Sequence, residues 1–324
     1  MRWSGASAGR RGLAGLAAAI LAAAVMGATS GLAAAAPAKA GISYDGYIAA
    51  GSVLPLSSAA NKVGEPIPAP SPAMIFADPS GKLVYADDWA TGATAVTAIS
   101  TVTDKVLSTI TLPSQAGKVA FTPNGKTAYV IDRTVPYGLT PITTATGKAG
   151  PQIAVGDDPQ NVVVSPDGAT VYVSAAVSQA VIPVTTRTNK PGKPIALASQ
   201  PDALALSANG ATLYVSEFAS PSVDGVVQLI STATRKIVAT IPAGLEPANL
   251  AITPNGKTLY ASNYYSGSVT PISTRTNKAG KPITVCATAG FMCQPWTIAI
   301  SASRAAVTRS IRSRPRPARS VRRS

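Results

Sequence analysis

The chain contains no histidine. That excludes a Ser-His-Asp triad, His-ligated zinc or copper and His-ligated haem, and it removes the side chain best suited to proton transfer near neutral pH. Cysteine is nearly absent as well: Cys286 and Cys293 are the only two in 324 residues, and no CxxC pair occurs. There is no P-loop and no dinucleotide fingerprint; the glycines sit in turn phrases rather than in phosphate cradles. Charged residues amount to only 13%, while Gly and Pro number 27 each, a mixture suited to many short strands joined by tight turns.

Acidic residues are scarce, 14 against 28 Lys plus Arg, for a net charge of +14. The excess lies at the ends. Eight arginines fall between Arg304 and Arg323, and Arg2, Arg10, Arg11 and Lys39 add four cations at the other end. The segment between is almost balanced, so the charge does not predict a specific nucleic-acid surface. Residues 1–40 read as an export signal, with a basic start, an uncharged Ala/Leu/Gly-rich run from Gly12 to Ala36, and small residues at Ala38 and Ala40 for cleavage before Gly41. The reading is a secreted or cell-envelope protein exported by the Sec route, with twin-arginine export from Arg10-Arg11 as the alternative and no membrane span left after cleavage. Residues 302–324 have no strand pattern and read as a disordered Arg-rich tail, a product of a frameshift or a basic arm.

What the chain does have is a repeated phrase. Pro79-Ser80-Gly81-Lys82-Leu83-Val84-Tyr85 returns as Pro123-Asn124-Gly125-Lys126-Thr127-Ala128-Tyr129 and as Pro166-Asp167-Gly168-Ala169-Thr170-Val171-Tyr172. It returns again as Ala208-Asn209-Gly210-Ala211-Thr212-Leu213-Tyr214 and Pro254-Asn255-Gly256-Lys257-Thr258-Leu259-Tyr260. A period in the low forties built from short alternating strands predicts β-propeller blades. In the fifth copy the strands are expected at Ala248–Thr253, Thr258–Ser262, Gly267–Ile272 and Lys281–Val285, with Asn255 and Gly256 supplying positive φ in the first turn. Pro55, Pro141, Pro183 and Pro271 fall in third strands and are expected at bulges or strand ends. The repeated tyrosines are packing residues.

The ends are half repeats. Residues 51–67 supply third and fourth strands without the first two, and Gln294–Ser301 supplies a first strand, so one blade would be built from both ends. The fold class is therefore all-β: a β-propeller of four-stranded antiparallel blades over residues 41–301, about six in number.

The phrase TPNGKTLYASN…GSVTPISTRTNKAGKPI resembles the YVTN repeat of bacterial secreted β-propellers, which are related to seven-bladed lactonase-like and surface-layer-type propellers. The likeness covers about residues 45–301. Its motifs are structural and bring no catalytic residue with them, and members typically have seven blades where this chain has about six.

Geometry then divides the charges. The turns bearing Lys82, Lys126 and Lys257 and those bearing Lys62, Lys105, Lys148, Lys190, Lys236 and Lys278 should share one face of the ring. The opposite face should carry Asp157, Asp158, Asp202, Glu246 and a candidate ligand or partner site made of Asp88, Trp89, Asp132, Arg133, Glu217, Asn263 and Tyr264. Asp88, Asp132, Glu217 and Asn263 each lie three residues after a repeated tyrosine, so they are expected at equivalent places around the channel mouth. Solvated surface is the bland alternative for these charges; Trp296, just before a first strand, reads as core packing, with the channel mouth as its alternative. Such a face favours a cation, or a polyhydroxylated or cationic ligand. Cys286 and Cys293, alone in one blade-to-blade loop, are expected to form a disulfide in an exported protein.

The function read from this is a monomeric binding scaffold whose partner is a protein, glycan or small molecule. The first alternative is a lactonase-like hydrolase holding a divalent cation such as Ca2+ through carboxylates. The second is a structural surface protein. No catalytic residue is assigned.

Overall fold

A computed structural model describes residues 46–285, except 50, 58–59, 70–71, 73, 88–93, 219 and 221. The export signal, the strand at Gln294–Ser301, Trp296, the 302–324 tail, Asp88, Trp89, Cys286 and Cys293 lie outside the described residues.

The described residues form six antiparallel sheets and no helix. The amino-terminal sheet holds β1 (Gly46–Ala49), β2 (Val53–Ser57) and β3 (Lys62–Val63). Blade one holds β4 (Ile75–Ala77), β5 (Leu83–Asp87), β6 (Ala95–Ser100) and β7 (Lys105–Thr111). Blade two holds β8 (Ala116–Phe121), β9 (Thr127–Asp132), β10 (Gly138–Thr143) and β11 (Lys148–Ala149). Blade three holds β12 (Pro159–Val164), β13 (Thr170–Ala175), β14 (Ala180–Thr185), β15 (Lys190–Pro191) and β16 (Ile195–Ala196). Blade four holds β17 (Gln200–Leu206), β18 (Thr212–Phe218), β19 (Asp224–Ser231) and β20 (Lys236–Leu245). Blade five holds β21 (Pro247–Ile252), β22 (Thr258–Asn263), β23 (Ser268–Ser273), β24 (Lys278–Ala279) and β25 (Ile283–Thr284). The first strands of successive blades contact one another and form the inner wall, and the apolar core lies between neighbouring sheets. The fold class is thus the all-β propeller expected, with about six blades.

The repeated phrase makes the hairpin between first and second strands, but the two turn residues do different work. Only the glycine takes positive φ, between 67° and 71° at Gly81, Gly125, Gly168, Gly210 and Gly256. The asparagine acts through its side chain: Asn124 Oδ1 accepts from the Lys126 amide at 3.0 Å, and Asn255 Oδ1 from the Lys257 amide at 3.0 Å. A threonine after each third strand then ties the two turns of a blade together. Thr101, Thr144, Thr186, Thr232 and Thr274 donate from Oγ1 to the carbonyl of that same turn glycine at 2.5–2.7 Å. Both turns therefore lie at one end of every blade.

Three expectations need correction. The amino-terminal sheet does contain a second strand, β1, in which Tyr47 stands opposite Pro55 as Tyr129 stands opposite Pro141. Tyr47 is a sixth repeat tyrosine, hidden because the turn phrase before it is missing. The prolines are not at bulges or strand ends; Pro141, Pro183 and Pro271 lie inside third strands that pair with the second strands without a register shift. Nor is the fourth strand of blade five continuous from Lys281 to Val285; it is broken into β24 and β25.

The last two corrections share one cause. Each proline carbonyl accepts from a fourth-strand glycine, as in Gly150 to Pro141, Gly192 to Pro183 and Gly280 to Pro271, all at 2.7 Å. A strand residue points its N and C=O to the same side, so the proline nitrogen faces the fourth strand, where it has no hydrogen to give. The fourth strand parts there. Blades one and four carry Ala98 and Leu229 at this position, and their fourth strands β7 and β20 continue through it as single strands with a one-residue register shift beside it.

Candidate functional site: charges on the inner wall

The second strands end in polar residues, and these turn inward to their own blades. Asp132 Oδ2 accepts from Thr140 Oγ1 and Gln152 Nε2, both at 2.8 Å. Glu217 Oε2 accepts from the Ser199 amide at 3.1 Å and its hydroxyl at 3.0 Å. Asn263 Nδ2 donates to Ser268 Oγ at 3.0 Å and Thr270 Oγ1 at 2.9 Å. All three are buried, and burial pushes the Asp132 carboxyl up against the opposing effect of its two hydrogen bonds. In blade one it is Asp87, two residues after Tyr85, that plays this part by accepting from the Met74 amide at 2.7 Å. These side chains fasten strand ends and linkers. Arg133 and Tyr264, the next residues along, are half-exposed. Tyr264 packs edge-on against Tyr265, with ring centroids 5.1 Å apart.

A different set of charges comes together on the inner wall. The first strands of blades two to five are irregular near their starts, between Ala116 and Val119, Pro159 and Asn161, Pro201 and Leu204, and Pro247 and Asn249. An extra residue there leaves the ladder and re-aims a side chain. Lys118 and Asp202 occupy such irregular stretches on blades two and four. Asp158 and Glu246 immediately precede the first strands of blades three and five, in left-handed conformations with φ of 55° and 51°. Arg133 lies over Gly117: a Cβ on that glycine would stand 2.6 Å from Arg133 Cγ and 2.9 Å from Cδ.

These five charges feel one another. The Lys118 ammonium is held below its ordinary range, first by desolvation, with Asp202 opposing and Arg133 reinforcing the shift. Asp202 is pushed up by desolvation and by Asp158, while Lys118 and Arg133 pull it down. Glu246 is raised by desolvation and by Asp202. Two cations from blade two therefore face three carboxylates, one each from blades three, four and five. Arg133 was legible in the sequence as a site residue; Lys118 was not, because nothing in a strand pattern marks a bulge. Asp158, Asp202 and Glu246 were placed on this face only as general surface charge.

Among the described residues, no group of three His, Cys, Asp or Glu side chains is arranged to hold a metal ion. The arrangement instead offers donors and acceptors of both signs within one confined wall, which suits recognition of a ligand bearing both charges.

No protein-family model matches the chain, and no curated protein matches it in sequence. Solved structures do. A chain of hydrazine synthase from Kuenenia stuttgartiensis is 24% identical with a TM-score of 0.58, over 66% of this chain and 65% of that one. The dihydro-heme d1 dehydrogenase NirN, solved in complex with DHE, is 18% identical with a TM-score of 0.60, over 74% and 53%. A chain of the mitotic checkpoint complex is 13% identical with a TM-score of 0.65, over 75% of each chain. This chain thus spans about two-thirds and about half of the first two, and at these identities the likeness is one of fold, the β-propeller.

Proposed function

We propose that the protein is a binding propeller of the cell exterior, and that its ligand is a small zwitterionic or polyhydroxylated molecule held at the inner wall. The observation that carries the reading is the meeting of Lys118, Arg133, Asp158, Asp202 and Glu246 from four successive blades. The first strands of the ring and the residues entering them hold such groups in fixed positions, which lowers the ordering cost of binding. Export is supported by the basic start and apolar run of residues 1–40.

The test is thermal melting of the purified protein with free amino acids of increasing chain length, neutral oligosaccharides and calcium chloride as separate probes. A probe at 100 times its Kd stabilises by about 2.7 kcal/mol. For a domain of this size that is a rise of roughly 5–10 °C. Arg133→Gln and Glu246→Gln, both at half-exposed positions, should abolish the rise without lowering the unliganded Tm by more than ~2 °C. Absence of a shift with every amino acid and saccharide would overturn the reading; a shift with calcium alone would restore the cation-site alternative.

A further inference from the structure

Every sheet opens its outermost strand with a lysine. Lys62, Lys105, Lys148, Lys190, Lys236 and Lys278 are the first residues of β3, β7, β11, β15, β20 and β24. Each pairs with the serine or threonine that ends the strand before it, as Lys105 does with Ser100 and Lys190 with Thr185. The residue before each lysine is left-handed, with φ between 52° and 64°. The six turns therefore share one backbone course and set their lysines at equivalent places, and all six lysines are exposed.

More cations join them at the same end. Lys82, Lys126 and Lys257 stand in the hairpin phrases of blades one, two and five, which the threonine hydrogen bonds tie to the lysine-bearing turns. Blades three and four have Ala169 and Ala211 in that place and carry Arg187 and Arg235 in the other turn instead. Each complete blade thus presents at least two exposed cations here. The acids at this end are few and mostly engaged. Asp78 is buried and accepts from the Leu83 amide at 2.8 Å, and Asp104 accepts from the Tyr47 hydroxyl at 2.6 Å. Asp167 is the one exposed acid in these turns. The opposite end carries Asp157, Asp158, Asp202, Asp224 and Glu246 against Lys118 and Arg133. A segment whose charge nearly balances along its sequence is therefore polarised from one end of the ring to the other.

We infer that the turn end of the ring is a docking surface for an anionic phospholipid bilayer, with the lysine and arginine side chains on the headgroup phosphates. Lysine at a strand edge also discourages edge-to-edge pairing, but that role accounts neither for its constant first place nor for the cations of the hairpin turns. None of these turns contains an aromatic residue, so nothing here can stack on a nucleic-acid base. A linear polyanion would follow one strip of this surface; a plane of negative charge meets all six sheets at once. The inference is independent of the ligand reading. It gives that reading an orientation, because the charges of the inner wall lie towards the opposite end and face away from the bilayer.

The experiment is co-sedimentation of the full chain with vesicles of phosphatidylcholine containing one-third phosphatidylglycerol. Binding should occur at low salt, vanish at high salt and be absent from vesicles of phosphatidylcholine alone. Lys62→Gln together with the same change at the five equivalent lysines should weaken binding at least ~100-fold. Exposed positions of this kind leave Tm within ~2 °C of the parent, and Lys→Arg at all six should keep the affinity. Eight arginines lie between Arg304 and Arg323, so the full chain with all eight changed to glutamine is the second variant, and it should still bind. Unchanged binding by the six-lysine variant, or lost binding by the arginine variant, would overturn the inference and assign the affinity to the chain ends. Soluble inorganic polyphosphate that binds as tightly as the vesicles at equal phosphate concentration would overturn it in favour of a linear polymer. Orientation gives an independent readout in a Cys286→Ser, Cys293→Ser background. A dye on Ala145→Cys, in the turn of blade two, should transfer energy to an acceptor lipid. A dye on Ala154→Cys, in the linker at the opposite end, should transfer far less; equal transfer from the two would sink the proposed face.

Discussion

The hydroxyl of Tyr47 donates to the carboxylate of Asp104 across a blade boundary, and Tyr129 does the same to the side chain of Asn189. The acceptor each time is the left-handed residue of the turn between third and fourth strands, with φ of 52°. One residue thus shapes its own turn and receives the neighbouring blade's tyrosine. Two boundaries show this bond; at the turn of blade two the left-handed residue is Gly147, φ 64°, and the hydroxyl of Tyr85 in the preceding blade is buried with no hydrogen-bond partner.

Gly147→Asn should therefore stabilise the protein. Asparagine tolerates the left-handed region, and the new Cβ meets only the mobile Ser108 hydroxyl at 3.0 Å and Ile110 at 3.6 Å. Satisfying a buried hydroxyl is worth about 1 kcal/mol or more. The expected rise in the urea midpoint should vanish when Tyr85→Phe is added; a rise that persists there would assign the effect to the turn alone.

The same tyrosines set an alkaline limit. Burial and the nearby Asp78 push Tyr85 up to about 12, and desolvation raises Tyr129, Tyr172 and Tyr214 as well. The folded state thus keeps protons that the unfolded chain loses near pH 10, so stability is intact below pH 10 and falls as pH rises through the folded values. Each such group contributes a slope of about 1.4 kcal/mol per pH unit in that window. Denaturation midpoints at pH 9, 10, 11 and 12 test this; a flat profile to pH 12 refutes it.

Much of the fold was legible because the hairpin phrase couples sequence to backbone directly: glycine at positive φ, an amide-accepting Asn or Asp beside it, then a tyrosine at fixed distance. β1 was not legible, since it keeps Tyr47 but lacks the phrase. The broken fourth strands were not legible either, because a proline's effect falls on the partner its nitrogen faces. The site was partly legible. Asp132, Glu217 and Asn263 do hold equivalent sequence places, yet whether a strand-end side chain points to the channel or into its own blade depends on partners such as Gln152 and Ser199 that lie some 20 residues away. Asp202 and Lys118 converge through bulges, which no alternation pattern records.

The proline rule predicts an asymmetry. Ala98→Pro in blade one should cost roughly 2–4 kcal/mol, since β7 stays paired opposite it at Ser108, beside a one-residue register shift, and the proline would remove the amide hydrogen that faces β7. Pro141→Ala in blade two should change stability by less than about 1 kcal/mol, because Gly150 already bonds the carbonyl and the fourth strand has parted. Chemical denaturation distinguishes the two, and equal costs would dismiss the account.

The last prediction concerns the inner wall. Lys118 and Asp202 come from blades separated by a third, so their attraction links blades two and four along the inner wall. Desolvation is the leading cause of both shifts, downward for Lys118 and upward for Asp202. Removing one partner leaves the other charge uncompensated, a loss of about 3 kcal/mol where burial is deep and less here, because both side chains keep partial exposure. Asp202→Asn and Lys118→Met should each destabilise by roughly 1–3 kcal/mol, while the double variant should recover most of that, since neither charge is then stranded. The double-mutant cycle gives the coupling directly. Additive losses would mean that the two charges are solvated independently, and the wall would then be open to water rather than shaped around a ligand of mixed charge.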